Sequence, residues 1–317
     1  IGAVYKQVKA KEPWCRGAKA ISEIGVFTTE EFTNERVPGA TAGAVQMLQE
    51  AAHQFEILDS RSDFSQYKLV ILPDGITLKP HLASKLDEYV KRGGKLIATG
   101  RSGLNTDGDA FALNSLGVTL KTRQVLAEDG LPAGGRDTGQ GLQYVDYIMP
   151  GDELGKGLPP TEHAMYMKAV DIQAKPGGTI LAQVVDSYFH RTWEHFCSHR
   201  QTPSSGKISQ PAVVQMGNTI YFAHPIFTLY NKNAPNWCKQ LMLNAIDLLL
   251  GEPLVKHNGP STLLATINTQ QDKHHWVAHF LHYIPERRSQ EIDIIEDVIP
   301  LYNLKISLKV DRPVKAV

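Results

Sequence analysis

A dense run of polar and aromatic side chains occupies residues 188–199, which read YFHRTWEHFCSH. His195 and His199 are four residues apart, a spacing that would place both imidazoles on one face of a helix. His190 or Glu194 could complete a three-ligand metal set able to activate water. The interpretation we favour is an ordered loop, in which the charged and imidazole groups pair with one another or with another domain while the aromatic rings pack.

A second candidate for chemistry is the stretch Gly100-Arg101-Ser102, which follows a predicted buried strand. Ser102 is the nearest potential nucleophile, but G-x-S-G is not the G-x-S-x-G elbow that exposes a serine at a strand-to-helix turn. The sequence places neither a histidine nor a carboxylate where it would activate this hydroxyl. We therefore interpret these three residues as a degenerate nucleophile-elbow position and predict no catalytic residue in this chain.

The loops after the other predicted strands carry no cofactor signature. Residues 28–33 (TTEEFT) offer hydroxyls, but they lack glycine and their two carboxylates would repel a flavin phosphate. Neither G-x-G-x-x-G nor G-x-x-x-x-G-K-[ST] occurs, so backbone amides could not approach a pyrophosphate. A phosphoacceptor site would use Asp74 with Glu30 and Glu31, although Pro-Asp-Gly reads more simply as a turn. The sequence predicts no cofactor and no bound metal.

The elements that must position these residues alternate between strand and helix in the first half of the chain. Short, continuously apolar runs predict strands, and helical spacing of apolar residues predicts helices over 40–53 and from Pro80 to Gly93. Strands buried on both faces are typical of a parallel sheet covered by helices. We therefore predict an α/β class, with a doubly wound, mostly parallel sheet and helices on both faces. The predicted strands are residues 24–29, 55–59, 69–72 and 95–99.

The second half is predicted to be richer in β structure. Gly217-Asn218 joins two apolar runs as a tight hairpin, and strand-like runs without a helical period follow Pro253. We predict a connector over 1–21, one domain over 22–253 and a small antiparallel β domain over 254–317. The predicted elements are a short helix at 111–116, strands at 165–172, 180–185, 211–216 and 219–223, a helix at 234–250, and strands at 263–267, 276–284 and 304–310.

The charge and the cysteines limit the classes of function. The 33 basic and 33 acidic residues balance, which excludes a dominant polyanion-binding surface, so we predict no nucleic-acid partner. No apolar run reaches the roughly 20 residues of a membrane span. Three widely spaced cysteines form no disulfide framework and favour a reducing, cytoplasmic location. The chain begins with Ile1 and ends just after a strand-like run, so we expect both ends to be cut.

Several motifs resemble one family. LVILPDG, a helix, YVKRGGKLIATG and FALNSLG follow one another as in the β-galactosidase trimerisation domain of family-42 glycoside hydrolases. PAVVQMGNTIYFAHPIF, followed by a helix to LLLGEP, resembles the closing hairpin and helix of that domain, and VAHFLHYIPERRSQEIDIIEDVIPLYNLKISLKV resembles the small C-terminal β domain of the same enzymes. FHRTWEHFCSHRQTP and LHYIPERR are similar to a bacterial subgroup of uncharacterised glycosyl hydrolases.

The resemblance implies an amidotransferase-like fold without the amidotransferase nucleophile. It also implies that the catalytic carboxylates belong to a preceding barrel, which would need roughly 250 residues. We therefore expect a non-catalytic assembly region that forms a trimer or other homo-oligomer and meets carbohydrate through the parent enzyme. Side chains that it could lend to a neighbouring active site are Arg191, Trp193, Glu194, His195 and His199.

Two alternatives stay open. An autonomous hydrolase or amidotransferase-like enzyme would use Ser102 or the histidines of residues 190–199. A small-ligand or sugar-binding module would use a cleft above the loops that follow Thr29, Leu72 and Thr99, where the carboxyl ends of parallel strands meet.

Overall fold

The structure is a computed structural model, and it describes residues 1–33, 39–121, 145–189, 202–310 and 313–314. Two compact units divide the chain. Unit 1 comprises residues 1–24, 48–56 and 252–317, and unit 2 comprises residues 25–47 and 57–251. The segments 1–24 and 48–56 thus belong to the same unit as the C-terminal β strands. The domain boundaries that we predicted at residues 21 and 253 do not include this grouping.

The helices are α1 (Gly2–Cys15), α2 (Glu30–Thr33), α3 (Gly39–Glu50), α4 (Pro80–Lys91), α5 (Ile226–Asn233) and α6 (Asn236–Leu250), with a short 3-10 helix at Gln271–Lys273. The strands are β1 (Lys19–Ala20), β2 (Ile24–Phe27), β3 (Phe55–Leu58), β4 (Leu69–Leu72), β5 (Lys95–Thr99), β6 (Val118–Leu120), β7 (Asp146–Pro150), β8 (His163–Met165), β9 (Ile172–Ala174), β10 (Thr179–Ser187), β11 (Ser204–Met216), β12 (Thr219–Phe222), β13 (Val255–His257), β14 (Leu263–Gln270), β15 (His275–His282), β16 (Glu286–Arg287), β17 (Asp293–Ile294) and β18 (Ile306–Leu308).

One mixed nine-stranded sheet organises the fold, in the order β3-β2-β4-β5-β12-β11-β10-β7-β8. Strands β4, β5 and β12 run parallel. From β12 through β11, β10 and β7 to β8, each pair is antiparallel. The α/β class is confirmed. The sheet is less parallel than the sequence suggested, because the predicted hairpin and the strands beside it extend it with antiparallel neighbours.

The parallel strands form because their residues are apolar on both faces, and β4 is buried along its whole length. Helix α4 covers the same core with Leu82, Leu86 and Tyr89, which repeat at helical spacing. It begins at Pro80, whose missing amide hydrogen costs nothing in a first turn. Beyond its last turn Gly93 adopts a φ of 98°, which glycine tolerates and which ends the helix.

The predicted helix at residues 111–116 is wrong: Phe111 forms an isolated β-bridge with Leu104, and the residues after it form bends and a turn. The carboxylate of Asp87 accepts hydrogen bonds from the backbone amides of Asn114, at 3.0 Å, and Ser115, at 3.0 Å. The Asn114 side-chain amide donates to the same carboxylate at 3.2 Å. An external acceptor therefore takes the amides that a helix would otherwise use, and apolar spacing alone could not reveal it.

The predicted strand at residues 165–172 is also wrong, because β8 ends at Met165 and β9 begins only at Ile172. The predicted helix at 234–250 begins later, at Asn236, because Ala234 is left-handed with a φ of 43° and Pro235 caps the helix. The hairpin is confirmed: β11 and β12 pair in register from Met216↔Thr219 onward.

Unit 1 contains the small antiparallel β structure that the sequence predicted. Strands β1, β14 and β15 form one antiparallel sheet, and β13 pairs with β18. Its core includes Ala52, Leu254, Val255 and Ile267. The Gln54 side chain accepts a hydrogen bond from the amide of Ile267 at 2.9 Å, which ties residues 48–56 to β14. Across the described ranges, none of the helices has both the length and the apolar character needed to traverse a bilayer.

Candidate functional site

The carboxyl ends of the parallel strands β4, β5 and β12 meet at one edge of the sheet in unit 2. At this edge the carboxylate of Asp74 accepts hydrogen bonds from the Thr99 hydroxyl, at 2.5 Å, and from the Thr228 amide, at 2.6 Å. Burial raises the pKa of Asp74, while these hydrogen bonds to Thr99 and Thr228 oppose the shift. Because Thr228 lies in the first turn of α5, the carboxylate fixes the start of that helix to the end of β4.

Gly100 continues this edge after β5, with a φ of 56°. A Cβ atom here would lie 2.9 Å from the Asp74 carbonyl oxygen and 3.3 Å from the Pro225 Cα. The Gly100 amide donates to the Phe222 carbonyl at 2.8 Å, and the Tyr221 hydroxyl donates to the Gly100 carbonyl. The absence of a side chain at Gly100 thus lets three segments approach closely.

Ser102 and Arg101 are buried in the same network. The Ser102 side chain is 0% exposed, and its oxygen accepts a hydrogen bond from the Ile76 amide at 3.0 Å. Burial lowers the pKa of Arg101 to about 10. A nucleophile must reach a substrate carbonyl, so a fully buried hydroxyl engaged with the backbone does not favour the hypothesis that Ser102 is a nucleophile.

The aromatic and thiol groups around Asp74 are also held neutral. Burial and the charge of Asp74 raise the pKa of Tyr221 well above its usual value and raise the pKa of Cys238. Neither group can supply a phenolate or thiolate near neutral pH. We call this part of the edge the closed cluster; it consists of Asp74, Thr99, Gly100, Ser102 and Tyr221. The closed cluster therefore stabilises the fold.

A second polar arrangement begins at His224, just after β12 at the same edge. The His224 Nε2 atom lies 2.5 Å from the Asp146 Oδ1 atom, and both side chains are buried. Since a carboxylate only accepts, the imidazole donates its Nε2 hydrogen. The other carboxylate oxygen accepts the Ala169 amide at 3.1 Å, and the Val170 amide donates to the Ala223 carbonyl at 2.9 Å. Residues 169–170 therefore bridge β7 and β12.

Asp146 also faces a cavity of about 290 Å³ in unit 2. Its lining is mostly polar and includes three carboxylates and one ammonium group. We call it the polar cavity; its lining residues are Val145, Asp146, Lys168, Ala169, Asp171, Val184, Asp186, Ser187, Ser209 and Gln210.

The connection between β10 and β11 begins beside the polar cavity, because Ser187 is the last residue of β10 and lines the cavity. The Thr202 hydroxyl donates to the Phe189 carbonyl at 3.0 Å, and the Tyr188 amide donates to the Pro203 carbonyl at 2.8 Å. The Tyr147 hydroxyl also donates to the Thr202 carbonyl at 2.7 Å. These bonds hold the two ends of the connection together.

The polar and aromatic run at residues 188–199 falls within this connection. Arg191, Trp193, Glu194, His195 and His199, with the whole of residues 190–201, lie outside the described residues. Within the ranges that the structure does describe, no group of three or more histidine, cysteine, aspartate or glutamate side chains is arranged to hold a metal ion.

Sequence reasoning missed Asp146, Lys168 and His224. His224 could have been found, because it directly follows a buried strand whose carboxyl end belongs to the same edge as Asp74 and Gly100. Asp146 and Lys168 gave no comparable signal, because Asp146 begins an antiparallel strand and Lys168 lies in an irregular segment.

Comparison with known proteins places this geometry in a family context. Residues 46–123, which contain β4, α4, β5 and the Gly100 loop, match the family described as the β-galactosidase trimerisation domain. This part of the chain is therefore similar to a domain of family-42 glycoside hydrolases. β-Galactosidase Pbg of Clostridium perfringens is 33% identical over 66 residues, which is 21% of this chain and 10% of that protein.

Solved structures are similar to nearly the whole length of this chain. α-L-Fucosidase isoenzyme 2 from Paenibacillus thiaminolyticus superposes with a TM-score of 0.84 and 32% identity, covering 97% of this chain and 45% of that one. The GH42 β-galactosidase Gan42B from G. stearothermophilus superposes with a TM-score of 0.57 and 15% identity, covering 96% and 43%. The second likeness concerns the fold alone. The chain thus spans less than half the length of these structural relatives.

Proposed function

We propose that this chain is the assembly region of a glycoside hydrolase and contributes no catalytic acid or nucleophile of its own. The match to a trimerisation domain supports self-association into a trimer or other homo-oligomer. In the α-L-fucosidase relative, more than half of the polypeptide lies outside the matched part, which leaves room there for a separate catalytic domain. The burial of Ser102 argues in the same direction, because it removes the nearest candidate nucleophile.

We further propose that residues 188–203 reach the active site of a neighbouring subunit. The observation that carries this proposal is the pinned base of the connection, where Thr202 and Phe189 are bonded and Thr202 is fully buried. A loop whose ends are fixed can present side chains at low entropic cost. Its residues include an arginine, a tryptophan and a carboxylate, the groups that bind sugar hydroxyls and stack on sugar faces.

For the parent enzyme we propose hydrolysis of terminal α-L-fucosides. The 32% identity to an α-L-fucosidase extends over 97% of this chain, which supports this substrate class over others. Hydrolysis of β-galactosides is the second candidate, because the trimerisation-domain match and the local 33% identity to a β-galactosidase concern the same part of the fold.

The test uses the complete polypeptide that carries this chain, assayed on nitrophenyl α-L-fucoside and β-D-galactoside. Trp193→Ala and Arg191→Ala should each lower kcat/KM about tenfold or more on the preferred substrate, since each removes one contact to the sugar. The oligomeric mass, measured by sedimentation, should not change. Arg92→Ala is the matched control, because Arg92 is exposed on unit 2 and, among the residues that the structure describes, forms an ion pair with Glu88 of helix α4.

Unchanged kinetics in both loop variants would contradict the role of the loop, while a monomeric wild-type protein would contradict the assembly role. Turnover by the 317-residue chain alone would instead favour the autonomous hydrolase or amidotransferase-like alternative.

A further inference from the structure

We infer that the polar cavity of unit 2 is a binding site for a neutral polyhydroxylated ligand of monosaccharide size. Its volume of about 290 Å³ would hold about ten water molecules at ~30 Å³ each, which is the size class of a single sugar ring. This site belongs to the present chain, so it is independent of the proposed contact with a neighbouring active site.

The walls of the cavity are already fixed by hydrogen bonds within the protein. Gln210 accepts the Ile172 amide at 2.8 Å and donates to the Val170 carbonyl at 3.2 Å. The Ser187 hydroxyl donates to the Val145 carbonyl, and Asp146 is held by His224 and the Ala169 amide. A ligand would meet preorganised polar groups, which lowers the entropic cost of binding.

Two charged side chains of opposite sign offer the contacts for a ligand. The half-buried carboxylate of Asp186 and the ammonium of Lys168 both line the cavity. The charges of Asp146 and Asp186 act on Lys168, which brings the three groups within electrostatic reach of one another. A vicinal diol suits this pair, because one hydroxyl donates to a carboxylate while the next accepts from an ammonium group.

The charge of the lining selects against anionic ligands. An anion would be repelled by the carboxylates of Asp146, Asp171 and Asp186, which outnumber the one ammonium group of the lining, that of Lys168. A purely apolar ligand would displace water from the charged groups of the lining without replacing its hydrogen bonds, at a cost for each desolvated group. A neutral molecule with several hydroxyls satisfies both the donors and the acceptors.

The experiment measures binding of L-fucose, D-galactose and glycerol to the 317-residue protein by saturation-transfer NMR, with a crystal soak to locate the sugar. We expect saturable millimolar binding of a monosaccharide, with density in the cavity. Asp186→Asn and Lys168→Met should each weaken it about tenfold, the effect of losing a hydrogen bond to a charged group. Asp152→Asn and Lys91→Met are matched controls, because both residues are exposed and outside the lining.

The inference would be overturned if no sugar showed saturable binding at concentrations up to 100-fold above the expected millimolar range. So would sugar density elsewhere, or sugar binding that neither cavity variant weakens. Tighter binding of methylguanidinium than of any sugar would show that the cavity prefers a cation, and it would also overturn the inference. The soak needs only the unmodified protein, so the inference can be decided even if a variant fails to fold. None of these outcomes depends on the kinetics of the parent enzyme.

Discussion

The two polar arrangements at the carboxyl edge of the sheet differ in what surrounds them. In the closed cluster, Asp74 and Ser102 are buried, and their side chains are satisfied by backbone amides and a threonine hydroxyl. In the polar cavity, Asp146 accepts a hydrogen bond from His224, while Asp186 and Lys168 line an open space. Position at a strand end is therefore shared, but only one arrangement leaves room for a ligand.

This difference shows that an edge position is not sufficient for a site. A buried polar group without a partner is costly, so burial at Asp74 requires a complete set of hydrogen bonds. Once that set is complete, the groups stabilise the fold and cannot also act on a substrate. We therefore expect changes in the closed cluster to affect stability most, and changes in the cavity lining to affect binding with little change in stability.

The largest effect is expected at Asp74. Replacement by alanine would leave the part-buried Thr228 amide and the buried Thr99 hydroxyl without their acceptor, and it would place alanine at a φ of 33°. We expect the free energy of unfolding to fall by about 3 kcal/mol or more. Asp74→Asn should cost less, because asparagine keeps an acceptor and tolerates positive φ. Urea denaturation measures both; equal losses would argue against the hydrogen bonds as the cause.

The raised pKa of Asp74 also predicts that the stability of the protein depends on pH. Burial raises the pKa of Asp74 above its ordinary value of 3.8, so the folded state keeps this proton at a higher pH than the unfolded chain does. Between 3.8 and the folded pKa the native state binds more protons, and stability therefore falls as the pH rises through that window. Asp74→Asn should lack this fall. A wild-type protein whose stability instead rises across the window would show that the hydrogen bonds outweigh burial.

His224→Ala is expected to rank next. It removes the partner of the nearly buried Asp146 and opens a space after β12. Removing one member of a fully buried pair costs about 3–5 kcal/mol, but the cavity lets water reach Asp146, so we expect about 2 kcal/mol. Asp146→Asn should lose less, because the amide oxygen still accepts from the imidazole. If His224→Ala instead lowered the free energy of unfolding by about 3–5 kcal/mol, water would not reach Asp146 through the cavity.

Gly100→Ala separates backbone strain from crowding. The added Cβ would approach the Asp74 carbonyl oxygen to 2.9 Å at a φ of 56°. Gly177→Ala is the control, since its φ is 87° and a Cβ there would meet nothing within 4 Å. We expect about 1 kcal/mol of destabilisation at Gly177 from strain, and about 1 kcal/mol more at Gly100 from crowding. Equal losses at both positions would mean that the closed cluster yields to an added methyl group.

The sequence predicted the parts of the fold that depend on local pattern. The buried runs of β4 and β5, the amphipathic face of α4 and the turn at Gly217 each carry their own signal. It did not predict that residues 111–116 would lack a helix, because the deciding acceptor, Asp87, lies on another element. The site followed the same rule: the pairing of Asp146 with His224 joins residues 78 positions apart, and no local spacing encodes it.

The smallest change in stability is expected at Asp186. Its carboxylate is half-buried and lines the open cavity, so Asp186→Asn should alter the free energy of unfolding by less than about 0.5 kcal/mol. Ser102→Ala makes the opposite comparison within the closed cluster, since losing the acceptor of the Ile76 amide should cost about 1 kcal/mol without changing sugar binding. If Asp186→Asn proved the more destabilising of the two, Asp186 would belong to the structural framework, and its effect on binding could no longer be read as a direct contact with the ligand.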